Sequence, residues 1–138
     1  MIDSVAVAAQ TVAAGSNIIF LTDRVRSNSS SGCHGWLYHN TGSGQYLITK
    51  PGVYNVTFNC NVTASAVGAV TLALRENGEE LGGTTMAAQI ATAGNLVNVS
   101  TSALIKVPCG ASVTVTVGNT GSVGAIVSDA NITITREC

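Results

Sequence analysis

Charge is the first thing this sequence lacks. Asp, Glu, Lys and Arg make up 9% of its 138 residues, against roughly 25% in an ordinary globular chain. Six basic and seven acidic residues leave a net charge of −1, with no basic stripe and no acidic tail. That argues against a nucleic-acid partner, because neutralising phosphates takes clustered Lys and Arg. Long apolar runs are missing too. None approaches the roughly 18 residues of a spanning helix, so no membrane partner is expected. Helix signal is nearly absent. The Ala-rich window "TTMAAQIATAGN" (84–95) has apolar positions that do not settle on one stripe, and it reads as strand and loop.

Signatures of chemistry are equally scarce. Nucleophilic catalysis needs a positioned Ser or Cys with a base and an orienting group, yet there is no G-x-S-x-G motif. "CHGWLYH" brings Cys33, His34 and His39 together, but two histidines five apart on one extended strand face opposite sides. No second ligand pair stands at zinc spacing, so these residues read as turn and sheet rim. Glu76, Glu79 and Glu80 bracket Asn77-Gly78, as a solvated hairpin tip would. "GSG" at 42–44 lacks the helix that a phosphate-cradling loop precedes. The expectation is no enzyme, no catalytic or metal-binding residue and no cofactor.

Cys33, Cys60, Cys109 and Cys138 form no CxxC pair, and four cysteines are too few for a disulfide scaffold. The first residues, "MIDSVAVAAQ", carry Asp3 and Ser4 where a secretory signal has Lys or Arg. A coding sequence beginning there implies folding in the cytosol with reduced thiols, open to later oxidation outside the cell. Asn55, Asn61, Asn98 and Asn131 fit N-x-S/T sequons, as an Asn/Thr-rich chain does by chance, and without a secretory route these mean nothing.

What is present is small, uncharged and β-forming. Hydrophobic content is 46%, and Thr, Ser, Asn, Val, Ala and Gly dominate. At this length the chain is one domain, 1–138, that can bury roughly two-thirds of its extended surface. Short β-branched runs alternate with turn signals about every ten residues, as in a sandwich or barrel. Strands are predicted over 4–9, 17–21, 35–39, 45–49, 53–63, 68–75, 83–90, 96–107, 111–118 and 125–135. The breaks between them are sound: Asn77-Gly78 for a hairpin, Pro51-Gly52 for a tight turn, and Gly-bearing turns at 41–44 and 119–121. Ten short strands in one domain imply two packed sheets.

The clearest strand is 53–63. Tyr54, Val56, Phe58, Cys60 and Val62 alternate with Asn55, Thr57, Asn59 and Asn61, which marks one face as buried. Asparagine is a poor strand former, so a ladder of Asn and Thr on the other face calls for a reason. The segment 125–135 echoes it, with Asp129, Asn131, Thr133 and Thr135 set against Ala130, Ile132 and Ile134.

"GSGQYLITKPGVYNVTF" supplies a more specific pattern: Gly44, Tyr46, Pro51-Gly52 and Tyr54 in a G-x-aromatic-x4-P-G-x-Y spacing. It resembles the centre of the C1q/TNF-like jelly roll. "NIIFLTDRV", "VTLALRENGEEL", "VSTSALIKVPCGASVTVTV" and "IVSDANITITREC" are similar to the strands on either side of that centre. Asn55 departs from the family's aromatic after the tyrosine, and the closing strand lacks the usual Gly-Phe. No collagen-like Gly-x-y stalk stands ahead of the domain. The resemblance is therefore to small stalkless jelly rolls on virions of phages infecting Gram-positive bacteria, with spore-surface proteins as cousins.

The resemblance implies an all-β, two-sheet antiparallel jelly-roll sandwich that is homotrimeric, its inner sheet turned to a threefold axis. Tyr46, Tyr54, Val56 and Phe58 would anchor the core. Asn55, Thr57, Asn59, Asn61, Asn131 and Thr133 would face neighbouring subunits, where amides can both donate and accept. A plain solvent-facing sheet is the alternative. The jelly-roll strand order also places Cys33, Cys109 and Cys138 at the Pro-Gly pole, where one disulfide or none could form, with Cys60 remote from all three. The function implied is a structural virion protein, a head decoration or fibre component made in the bacterial cytosol, whose exposed loops touch capsid or other virion proteins or host glycans. A carbohydrate-binding adhesion module on a virion, spore or cell surface is the alternative, and a secreted cytokine-type ligand is disfavoured by the missing signal.

Overall fold

In a computed structural model the chain is described over residues 1–26 and 36–138. The alternation of 53–63 becomes strand β6 (Gly52–Thr63), with Tyr54, Val56, Phe58 and Cys60 wholly buried. The other strands are β1 (Ile2–Ala6), β2 (Gln10–Val12), β3 (Thr22–Arg26), β4 (Leu37–His39), β5 (Tyr46–Ile48), β7 (Gly68–Glu76), β8 (Glu79–Glu80), β9 (Met86–Ile90), β10 (Val97–Val107), β11 (Val113–Asn119) and β12 (Ala125–Arg136). All pairings are antiparallel. One sheet runs β10-β6-β12-β1-β3, with β2 beside β12; the other runs β4-β5-β11-β7-β8, with β9 beside β7.

The core lies between the sheets and is built on aromatic contacts. Phe20 meets Tyr46 and Phe58 edge-on, at centroid distances of 5.8 and 6.3 Å, within the favoured range for such pairs. The expected core anchors, Tyr46, Tyr54, Val56 and Phe58, are all buried in it. Asn77 and Gly78 take positive φ of 52° and 85°, as a type I′ hairpin turn requires. Glu76, Glu79 and Glu80 flank that turn, with Glu79 and Glu80 exposed, at the expected tip.

The sequence-based strand map needs several corrections. The strand expected at 4–9 spans Ile2–Ala6, and the chain rejoins the sheet as β2 only after a detour at residues 7–9. The apolar segment 17–21 is not a strand. It touches its neighbours by isolated bridges, Asn17 with Gly118 and Phe20 with Ser43, which deliver Ile18 and Phe20 to the core. The true strand is the polar "TDRVR" that follows, whose ladder closes the sheet edge against β1. The strand expected at 83–90 begins at Met86, and β8 was not anticipated. The strand expected at 35–39 is found as β4, whereas most of the loop at 26–32, with Cys33 and His34, falls outside the described residues.

Strand β12 departs from strict alternation. Its register against β6 shifts between Ser128 and Asn131, and Asp129 takes a φ of 51°, a β-bulge with one extra residue. Asp129 N–H donates to Val7 O at 3.1 Å. The outward row therefore steps from Asn131 to Ser128 rather than to Asp129.

Candidate functional site

Register assembles the outward face of the β10-β6-β12-β1-β3 sheet into ranks across the strands. Leu104, Asn55 and Thr135 share one rank; Ser102, Thr57, Thr133 and Asp3 the next; Ser100, Asn59, Asn131 and Val5 the third; and Asn98, Asn61 and Ser128 the fourth. All six residues expected at an interface, Asn55, Thr57, Asn59, Asn61, Asn131 and Thr133, stand together on this surface, exposed or half-buried. The grid is almost free of charge. Its Asp3 is held by Arg24 at 2.6 Å and accepts from Asn131 and Thr133.

Hydrogen bonding divides the grid in two. Asn61 accepts from Asn98 at 3.1 Å, Asn131 also donates to Ser4 O at 3.2 Å, and Thr135 donates to Glu137 at 3.2 Å. The side chains of Asn55, Thr57 and Asn59 make no hydrogen bond to the described residues. Their donors and acceptors point outward from β6. Such a row can be met by water, by a ligand or by another chain.

A second polar group lies inside the fold, and nothing in the sequence announces it. His39, expected at a sheet rim, is buried. Its Nδ1 is 2.6 Å from Asp23 Oδ1 and its Nε2 is 2.9 Å from Ser43 O, while Ser4 Oγ donates to the same Asp23 oxygen at 2.6 Å. Both ring nitrogens face oxygen atoms. The imidazole stacks on Tyr46, centroids 4.2 Å apart. Burial holds the Tyr46 phenol well above its ordinary ionisation range. Arg26 donates to His39 O at 2.6 Å. Here one carboxylate bridges a serine and a histidine, so the imidazole does not contact the serine hydroxyl, and the group works as a polar pin between the two sheets. Its members come from residues 4, 23 and 39, with no spacing to link them in sequence.

Among the described residues no group of three or more His, Cys, Asp or Glu could hold a metal ion, and no helix is long and apolar enough to cross a membrane. Cys60 is buried and free, and desolvation pushes its thiol up to about 12. Cys109 and Cys138 are exposed and free. Both stand at the Pro51-Gly52 end, since β10 finishes opposite Gly52 and Cys138 N reaches Val53 O at 3.5 Å.

Comparison with solved structures decides the architecture. The globular domain of zebrafish complement 1qA superposes with a TM-score of 0.67 at 12% identity, covering 99% of this chain and 98% of that one. An Eiger TNF from S. frugiperda gives 0.70, also at 12% identity, covering 99% and 92%. The fold is the C1q/TNF-like jelly roll. No protein-family model matches the sequence, and no curated protein does. At such low identity the likeness fixes the fold alone, and the sheet bearing the Asn and Thr ranks is one of the two layers of that jelly roll.

Proposed function

We propose that this chain is a non-enzymatic structural protein that assembles as a homotrimer through the Asn/Thr-ranked sheet and is displayed on a bacteriophage particle, as a head decoration or fibre component. The observation that carries the assembly is the row Asn55, Thr57 and Asn59, exposed or half-buried and without hydrogen-bond partners among the described residues. Copies related by a closed cyclic operation meet such a row with its own complement, since each amide both donates and accepts. The virion setting rests on the resemblance to small particle-bound jelly rolls, and a surface paved with small uncharged residues suits a rigid exposed knob. Light scattering should return the mass of three chains. A monomer at micromolar concentration overturns the assembly, and absence of the chain from purified particles overturns the setting.

A second reading, glycan binding, has its own observation. A shallow depression of about 200 Å3 is lined by Tyr38, His39, Asn40, Ser43, Gln45 and Leu47, with the Tyr38 ring accessible beside two neutral carboxamides. Aromatic faces accept the apolar face of a sugar and amides accept its hydroxyls. Glycan-array binding lost in Tyr38→Ala supports this reading, and an empty array removes it.

A further inference from the structure

Exposed apolar side chains on this sheet gather at its two opposite edges. Val7, Ile19, Leu21 and Val25 stand on or beside β1 and β3, while Leu96 and Leu104 stand at the head of β10 and within it. Strands β3 and β10 are the two ends of the sheet path. Between them lie the Asn, Thr and Ser ranks. Each edge therefore carries an apolar feature that the middle of the sheet lacks.

The two features differ in shape. On the β3 side, Ala8, Ala9, Gln10, Ile19 and Leu21 line a mostly apolar depression of about 160 Å3, close to the roughly 150 Å3 that admits a benzene-sized group. Its wall is fixed by the Gln10 carboxamide, which replaces a missing ladder pair. Nε2 donates to Ile19 O at 2.8 Å and Ile19 N–H donates to Oε1 at 2.9 Å. On the β10 side, Leu96 projects with 62% of its surface exposed.

Register puts both at the same height. Val97, next to Leu96, pairs with Val62. Val62 pairs with Val127, and Val127 pairs with Gln10. Lower down, Leu104 ranks with Asn55 while Val25 ranks with Asp3, Thr133 and Thr57. That is an offset of only two residues, about 7 Å along a strand.

The geometry points to a head-to-tail contact between copies of this chain, in which Leu96 of one copy seats in the Ala8–Gln10–Ile19–Leu21 depression of the next. A twofold contact that set depression against depression would leave Leu96 uncovered. Joining opposite edges covers both. Equal height means that each step is a rotation with little rise, and a head-to-tail contact without rise closes into a ring instead of a filament. No charged side chain lines the depression, so an apolar side chain enters without stranding a charge. This inference rests on the trimer reading and names the residues that join its subunits.

The test uses the full chain with Cys33, Cys109 and Cys138 changed to Ser, and Cys60 kept. Leu96→Cys and Ile19→Cys are introduced singly and together, and a short bis-maleimide is added. Four strand spacings of about 4.8 Å put the two edges about 19 Å apart, too far for a short link within one chain. The double variant should run as a covalent trimer on a denaturing gel. An equal mixture of the two single variants should give a covalent dimer, and neither single variant alone should cross-link. A trimer by light scattering without cross-links, or with cross-links in a single variant alone, overturns the inference and leaves the trimer standing. A monomer overturns both, and a ladder running past three chains overturns the closed ring.

Discussion

Truncating Tyr54 separates the two faces of β6 by energy. Tyr54 is wholly buried, its ring lies 5.3 Å from Trp36, and its hydroxyl donates to Lys50 O at 2.7 Å. Tyr54→Phe keeps the packing and leaves Lys50 O without that donor, a loss of about 1 kcal/mol. Tyr54→Ala also empties a ring-sized space between the sheets, and large-to-small changes of this kind cost roughly 3–5 kcal/mol. Thr57, three residues on, points outward with no hydrogen-bond partner among the described residues, so Thr57→Ala should stay within about 0.5 kcal/mol in the isolated chain. With a urea dependence of about 2 kcal/mol per molar, Tyr54→Ala should lower the midpoint by roughly 1.5–2.5 M, and Thr57→Ala by about a tenth of that. The measurement is urea unfolding over a dilution series, because association adds stability that depends on concentration. A larger midpoint loss for Thr57→Ala than for Tyr54→Ala, in protein dilute enough to be monomeric, would refute the assignment of the faces.

Other outcomes follow from the same coordinates. Cys60 should resist alkylation in the native protein while Cys109 and Cys138 react, and peptide mapping of oxidised protein should find no Cys60 disulfide; a Cys60 cross-link would mean the strand order is wrong. Alkaline pH should destabilise the fold. The Cys60 thiol goes from 9.0 to about 12 by burial, so the folded state holds its proton more tightly than the unfolded chain. That stability is complete below pH 9 and falls between about pH 9 and 12, by up to about 1.4 kcal/mol per pH unit; Cys60→Ala should flatten the decline. Gly52→Ala should cost roughly 1–3 kcal/mol, since a Cβ there would lie 2.5 Å from Cys138 O on a backbone with φ of 151°. An unchanged unfolding midpoint would show that the carboxyl-terminal residues yield freely.

The fold was legible where local pattern and tertiary role agree. Strand β6 alternates because one side meets the core, and Asn77-Gly78 turns because both residues accept positive φ. Legibility failed where apolar residues reach the core without a ladder. Ile18 is buried, yet it is held by a single backbone bond to Val117 O at 2.8 Å, so "NIIFL" reads as a strand and is not one. The converse holds for β3, a charge-rich edge strand with Val25 as its one apolar residue, which its ladder to β1 identifies. The outward Asn and Thr row could be found from period alone. The Ser4–Asp23–His39 group could not, because long-range pairing brings those residues together and none belongs to a motif.

The ranked face and the apolar edges suit different physical tasks. An amide desolvated without a partner costs about 1–3 kcal/mol, so the row Asn55, Thr57 and Asn59 penalises any contact in which it is covered but not met. Such a surface gains little from casual association and rejects wrong registers, a selectivity built from repulsion. Leucine in an apolar depression behaves oppositely, since burying it is favourable at roughly 1.5–3 kcal/mol in any orientation that excludes water. A ring joined only by Leu96 would bind without a defined register, and one joined only by amides would have register and little affinity. Placing the amides between the two apolar edges, within a few residues of the same height, lets a single rotation meet both conditions.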